Sequence, residues 1–211
     1  SQAILLVDAI SGLGCDVLKM DEWGVDGVVC GSQKGLMLPP GLSFMALNDR
    51  AQGLISKSTL PKYYFNFAQT LKAMTKNDTP FTPAVSLVRG LEEALLMILG
   101  EGLEKVWHRH AQLAGFVRSK VEQMGLRSFA QTPSQALTAI VLPENITSKD
   151  IIKHMREAHQ VVMADGQGEL QGKIIRLAHM GACSMKDVER GILAFQDAMT
   201  QAGYKVPSGV L

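Results

Sequence analysis

Apolar runs and helical periodicities divide the chain into two textures. Near its start, Ala3–Val7, Val25–Cys30 and Leu42–Leu47 are short apolar runs bounded by Gly, Pro, Asp or Asn, without clean polar alternation. That pattern predicts strands buried on both faces in an α/β sheet. A gap-free run directly behind Ser1-Gln2 predicts a parallel strand that needs neighbours on both sides, so the chain is expected to begin inside a larger sheet. Asn48-Asp49 predicts the N-cap of a helix reaching about Lys57, and Asn66–Lys76 reads as a second helix. The Asn77–Pro83 loop, with prolines at 80 and 83, stops that helix. Two longer helical patterns follow, Ala84–Leu99 and Leu103–Met124, separated by Gly100-Glu101-Gly102.

From Gly125 the pattern changes. Leu137–Leu142, Gln160–Ala164 and Lys173–Ala178 predict short strands, interleaved with helices at Ser148–Ala158 and Met185–Ala202. Thr147-x-x-Asp150 and Ser184-x-x-Asp187 supply capping signals for those helices. The expected organisation is therefore a sheet-and-helix region over 1–102, a connecting long helix over 103–124, and a small α+β domain over 125–211. A length of 211 residues suits one large domain or two modest ones.

Composition narrows the function. The 21 basic and 20 acidic side chains leave a formal charge of +1, and no Lys/Arg stripe is present, which argues against an electrostatic nucleic-acid binder. The longest apolar stretches, Ala94–Leu99 and Ala3–Val7, are too short to span a bilayer. Cys15, Cys30 and Cys183 are odd in number and lack C-x-x-C spacing. They predict neither a disulfide framework nor a zinc site, and fit a reducing, cytoplasmic compartment.

Val28-Val29-Cys30-Gly31-Ser32-Gln33-Lys34-Gly35 carries the candidate chemistry. A strand runs into a small-residue turn that presents Lys34, with Gly35 expected to let the backbone turn tightly behind it. Asp8 holds the same kind of position after the first run, and parallel α/β sheets place ligands at the carboxyl ends of strands. By spacing alone, Asp8 and Lys34 form either a simple ion pair or a functional acid and amine. The functional pairing has a definite chemistry: a lysine amine that attacks a carbonyl, beside a carboxylate that keeps a pyridine nitrogen protonated.

Several separated motifs carry a resemblance. Val7-Asp8-Ala9-Ile10-Ser11-Gly12-Leu13-Gly14, Asp26 through Gly35, Pro39-Pro40-Gly41-Leu42, Thr82-Pro83 with Ser86-Leu87, Leu91-Glu92-Glu93-Ala94-Leu95, and Gly172 through Gly181 occur in order over essentially the whole chain. Together they resemble class V pyridoxal phosphate-dependent aminotransferases of the alanine–glyoxylate and serine–glyoxylate branch. The resemblance implies an α/β fold: the second half of a fold type I large domain, mostly parallel sheet with helices, followed by the small α+β C-terminal domain.

It also implies roles. Lys34 would hold pyridoxal 5′-phosphate as a Schiff base and move the substrate proton, with Asp8 on the ring nitrogen, Ile10 against one ring face and Gln33 by the phosphate. Thr82 would reach a phosphate bound in the second subunit of a homodimer. Arg176 would fork onto the substrate carboxylate, its alternative being an exposed strand arginine paired with Glu169. The resembled family keeps its phosphate cup and ring-stacking aromatic in the half that precedes these motifs, so this chain alone is expected to bind cofactor poorly and to be inactive. A non-catalytic interaction module, a phosphonate transaminase and a cysteine desulfurase stay open as alternatives.

The remaining residues read as structural. His108 and His110 sit two apart on a helix, and His154 and His159 five apart, so neither pair is expected to share a face, and no metal site is expected. His179 lies near Arg176, with a hydrogen-bonded structural role favoured over pocket lining. Cys30 reads as a buried small hydrophobe.

Overall fold

The computed structural model describes residues 3–207 and 209, so Ser1 and Gln2, which precede the first apolar run, lie outside the described residues. The chain divides into two compact units, Ser1–Leu13 with Val17–Gly100, and Gly14–Asp16 with Glu101–Leu211. No helix among the described residues is long and apolar enough to cross a membrane.

The first unit holds a three-stranded sheet in the order β1 (Leu6–Asp8), β2 (Gly27–Gly31), β3 (Ser43–Leu47). β1 and β2 are parallel, with Asp8 opposite Val29, and β2 and β3 are antiparallel, with Gly31 opposite Ser43. The third apolar run thus does not form a buried parallel strand. The Ser32–Leu42 connection is short and holds no crossover helix, which leaves only the antiparallel return. β1 is not buried either. Leu5 and Leu6 are exposed, and the core of this unit is small: Ala9, Val25 and Val28 with Val7, Leu13, Leu18 and Met20 against them.

Buried Asp26 ties the start of this sheet together. Its carboxylate accepts from the Leu5 N–H at 2.7 Å and from the Asn48 side-chain amide at 2.9 Å. Asn48 in turn caps helix α1 (Asp49–Ile55) by accepting from the Ala51 N–H. Helix α2 (Phe67–Met74) is capped the same way by Asn66. Helix α3 (Val85–Glu101) lies against the β2–β3 connection. An added Cβ on Gly41 would come within 2.5 Å of the Leu87 side chain, and one on Gly90 within 2.9 Å of Leu38. These glycines permit the close approach, and Gly41 also has φ +147°, a conformation other residues rarely adopt. Large apolar side chains stay exposed on this unit, among them Tyr63 at 77% and Phe65 at 85%.

The second unit has its own core. Helix α4 (Leu103–Gln123) begins after Gly102, whose φ of +90° ends the preceding helical run. It buries Val106, Leu113, Val117 and Val121 at helical spacing. A four-stranded antiparallel sheet follows in the order β4 (Arg127–Ser128), β5 (Leu137–Val141), β7 (Ile174–Ala178), β6 (Ala164–Asp165). Helices α5 (Ser148–His159) and α6 (Met185–Gln201) add Ile151, Met155, Ile192, Phe195 and Met199 to the buried cluster.

Ser184 and Asp187 form the full reciprocal capping box, and Thr147 caps α5 by accepting from the Asp150 N–H. The strand expected over Gln160–Ala164 shrinks to Ala164–Asp165. Gln160 is the left-handed C-cap of α5 (φ 55°), so the chain there is closing a helix rather than starting a ladder. Strand β4 had no apolar run to announce it.

Candidate active site

Four of the expected site residues gather at the carboxyl ends of the parallel pair β1 and β2. Asp8 ends β1, is exposed, and accepts from the Ile10 N–H through Oδ1 at 2.9 Å. Gln33 folds its side-chain amide back over Gly31. An added Cβ there would lie 2.9 Å from Gln33 Oε1 and 3.5 Å from Ile10, so Ile10 and Gln33 flank one glycine. Lys34 follows, half-buried, in the turn that leaves β2. Its amine makes no hydrogen bond or ion pair among the described residues, so the simple Asp8–Lys34 ion pair is not formed.

The turn carrying Lys34 owes its shape to a residue that spacing did not single out. Ser32 is fully buried. Its hydroxyl donates to the Pro39 carbonyl at 2.7 Å and accepts from the Leu42 N–H at 3.2 Å. Its own N–H donates to the Leu42 carbonyl at 3.0 Å, and its carbonyl accepts from the Leu38 N–H at 3.1 Å. The Met37 N–H closes onto the Lys34 carbonyl at 2.9 Å. The left-handed residue of this turn is Met37 (φ 62°), not Gly35 as the glycine position suggests. Beneath the turn, burial pushes the Cys30 thiol up, and the nearby Asp8 carboxylate adds to that shift. Cys30 is thus a neutral thiol donating weakly to the Gly31 carbonyl, and a poor nucleophile.

Thr82 is exposed in the loop before α3. Arg176 belongs to the second unit, where it sits on β7 opposite Ala139 of β5 and Ala164 of β6. Its Nε–H donates to the Asp165 carbonyl oxygen at 2.8 Å, and it forms no ion pair with Glu169. That contact fixes the plane of the guanidinium and leaves the two Nη groups without a hydrogen-bond partner among the described residues, the fork a carboxylate needs. Asp165 is itself anchored. The Ser148 hydroxyl above all, then the N–H groups of Gly172 and Gly166 and the charge of Arg176, hold its carboxyl below the usual range against its desolvation. No local pattern marks Asp165.

His179, three residues past Arg176, has the structural role expected of it. Its Nδ1 lies 2.9 Å from the Gln135 carbonyl, which can only accept, so Nδ1 carries the proton. Nε2 then accepts from the Thr138 hydroxyl at 3.0 Å.

A family model for class V aminotransferases matches residues 1–185. The chain belongs to that family. The soluble hydrogenase small subunit of Synechococcus is 36% identical over 96% of this chain and 53% of its own length. L-aspartate–glyoxylate aminotransferase of Paracoccus denitrificans is 35% identical over 98% and 53%, and serine–glyoxylate aminotransferase of Methylorubrum extorquens 35% over 98% and 54%. The crystal structure of pyridoxamine–pyruvate aminotransferase from Mesorhizobium loti superimposes with a TM-score of 0.92 at 33% identity, covering 98% of this chain and 55% of that one. The chain therefore spans about half the length of the curated relatives it matches. Its fold is that of the fold type I aminotransferases.

Class V aminotransferases depend on pyridoxal phosphate. The residues present fit that group: an unpartnered amine on a turn locked from beneath, a carboxylate at the neighbouring strand end, and an apolar side chain beside it.

Two outcomes follow. Ser32→Ala leaves the Leu42 N–H and Pro39 carbonyl without their buried partner and is expected to cost about 1–3 kcal/mol, read as a lower urea midpoint. His179 gives a pH effect. Burial, reinforced by the charge of Arg118, pushes its ring down to about 4, against an ordinary value of 6.5. Between those values the unfolded chain binds a proton that the folded ring refuses, so stability falls as pH drops from 6.5 toward 4 and is unaffected above. Wild type should lose about 3 kcal/mol more than His179→Gln across that window in urea titrations; equal losses would assign the pH dependence elsewhere.

Proposed function

We propose that this chain is the lysine-bearing half of a pyridoxal phosphate-dependent aminotransferase. It moves an amino group between a small amino acid, alanine or serine, and a 2-oxo acid such as glyoxylate. The observation that carries the reading is the unpartnered amine of Lys34, set on a hydrogen-bonded turn at the carboxyl end of β2 beside the Asp8-bearing end of β1. Glyoxylate as acceptor is supported by the names of two relatives about one-third identical to this chain.

Bound pyridoxal phosphate supplies an electron sink that makes the α-proton of an amino acid removable. This chain supplies the rest. The Lys34 amine takes and returns the proton at the substrate α-carbon. Asp8 keeps a proton on the ring nitrogen, Ile10 packs on one ring face, and Gln33 hydrogen-bonds the phosphate. Thr82 reaches a phosphate held by the other copy of a homodimer. Arg176, with Nε already committed to the Asp165 carbonyl, presents its Nη pair to the substrate carboxylate.

The exposed Tyr63, Tyr64, Phe65 and Leu99 support a covering partner, both the remaining half of the enzyme and a second copy. The chain alone is accordingly expected to bind cofactor poorly and to be inactive. Its three free cysteines support a reducing, cytoplasmic setting.

In the complete protein, incubation with pyridoxal phosphate and reduction with borohydride should add the cofactor's mass to the peptide holding Lys34. Lys34→Ala should lose both that adduct and transamination. An adduct confined to other lysines, or none, overturns the proposal and favours a non-catalytic module. Arg176→Ala should raise KM for carboxylate substrates about 10–100-fold, the worth of charge-assisted hydrogen bonds, while an unaltered KM removes Arg176 from substrate binding.

A further inference from the structure

Two histidines that helical spacing sets apart meet at a single oxygen. His154 and His159 are separated by five residues of α5, or about 140° of rotation, yet Nε2 of His154 lies 2.7 Å and Nε2 of His159 2.8 Å from Oδ2 of Asp197 on α6. Tertiary packing of α5 on α6 brings them together. Their ring centroids are 5.9 Å apart with planes tilted by 58°, so the rings do not stack but aim their Nε2 atoms at a shared point. The three possible ligand atoms all lie within 4.8 Å of one another. Each side chain is about one-third to two-fifths exposed, which leaves an approach from solvent.

We infer that His154, His159 and Asp197 form a binding site for a divalent transition-metal cation of the zinc class. Two imidazoles and one carboxylate are a ligand set that zinc accepts in open sites, with water completing a tetrahedron. The same nitrogen-rich set disfavours calcium and magnesium, which take oxygen ligands. Metal–ligand bonds of about 2.0–2.1 Å place tetrahedral ligand atoms about 3.3 Å apart. The two nitrogens therefore need to open from Asp197 by only about half an ångström. The proton account also closes. Each ring now donates Nε2–H to the carboxylate; on binding, the Nε2 lone pair must face the metal, and the imidazole then keeps its remaining proton at Nδ1.

The scaffold favours such a site. Ile151 and Met155 of α5 are buried in the same cluster as Phe195 and Ala198 of α6 on either side of Asp197, so the ligands stand on packed helices rather than on a loop. Arg190 of α6 donates to the His159 carbonyl at 2.8 Å and fastens the end of α5 where the second imidazole leaves it. Asp150 and Glu157, with Lys153, line the cleft on the His154 side. The site lies wholly in the second unit and is independent of the aminotransferase reading.

Chelator-treated, tag-free full chain should be titrated with Zn²⁺ by calorimetry and with Co²⁺ by visible absorbance. One ion per chain is expected, with a Co²⁺ band of low-coordinate type and a Zn²⁺-dependent rise in Tm. The His154→Gln/His159→Gln double variant should lose more than about 100-fold in affinity and the Co²⁺ band. Should that variant lose helical circular dichroism, His154→Gln, His159→Gln and Asp197→Asn singly replace it, each expected to weaken binding at least about tenfold. Absence of stoichiometric binding, or binding that these substitutions leave unchanged, overturns the site.

Discussion

The hydroxyl of Ser32 is a small group on which the position of Lys34 depends. It is buried, so losing it leaves the Leu42 N–H and the Pro39 carbonyl short of a hydrogen bond in a partly buried turn. Four hydrogen bonds through this one residue, two from its side chain and two from its backbone, knit Leu38, Pro39 and Leu42 into a closed loop. The loop is then covered by α3, which approaches closely only because Gly41 and Gly90 lack side chains at the contact. A lysine on a freely moving turn would sample many positions and spend rotamer entropy on each productive one. Fixing the turn from beneath leaves only the lysine's own side chain to order, which is the kind of preorganisation a catalytic amine requires.

The two units meet the demand for burial differently. In the second, α4, α5 and α6 close over an antiparallel sheet with a continuous set of fully buried aliphatic and aromatic side chains. In the first, a three-stranded sheet carries a small core and leaves aromatic residues largely in water. The exposed aromatics Tyr63, Tyr64 and Phe65 lie in the loop before α2, off the sheet, and form the kind of apolar surface at which protein contacts occur. A chain that spans about half its relatives' length is consistent with this: the apolar runs at Ala3–Val7 and Leu42–Leu47 have the composition of buried strands without the neighbours that would bury them.

Much of this was legible in the sequence, and the misses have physical causes. Helices announced themselves through periodicity and caps, because Asn48, Asn66, Thr147 and Ser184 satisfy local N–H groups within a few residues. The acid and amine at adjacent strand ends were legible because Asp8 follows an apolar run directly and Lys34 lies in the short turn, Gly31-Ser32-Gln33-Lys34, that leaves one. Strand direction was not, since an apolar run looks the same whether its neighbour is parallel or antiparallel, and only the length of the connection decides. Gln160 read as strand because its left-handed backbone leaves no trace in its side-chain type. Asp165 and Asp197 were missed because the side chains that meet them, Ser148 for the first and His154 and His159 for the second, lie many residues away, so no local spacing records them.

Strand alternation explains why neighbouring Arg176 and His179 part ways. Along β7 and just beyond it, Ile175, Leu177 and His179 share a parity and are all buried, while Arg176 and Ala178 take the other face and keep contact with solvent. A histidine on the buried parity must satisfy both ring nitrogens internally, as it does with Gln135 and Thr138, and its burial lowers its proton affinity even though the Gln135 carbonyl favours the protonated ring. It has no nitrogen left for a substrate. An arginine on the open parity can give one N–H to the Asp165 carbonyl for orientation and still offer two. Had the register of β7 slipped by one residue, the guanidinium would be driven into the aliphatic core and the imidazole turned to solvent. The pairing of Arg176 with Ala139 thus sets which of the two side chains can meet a carboxylate.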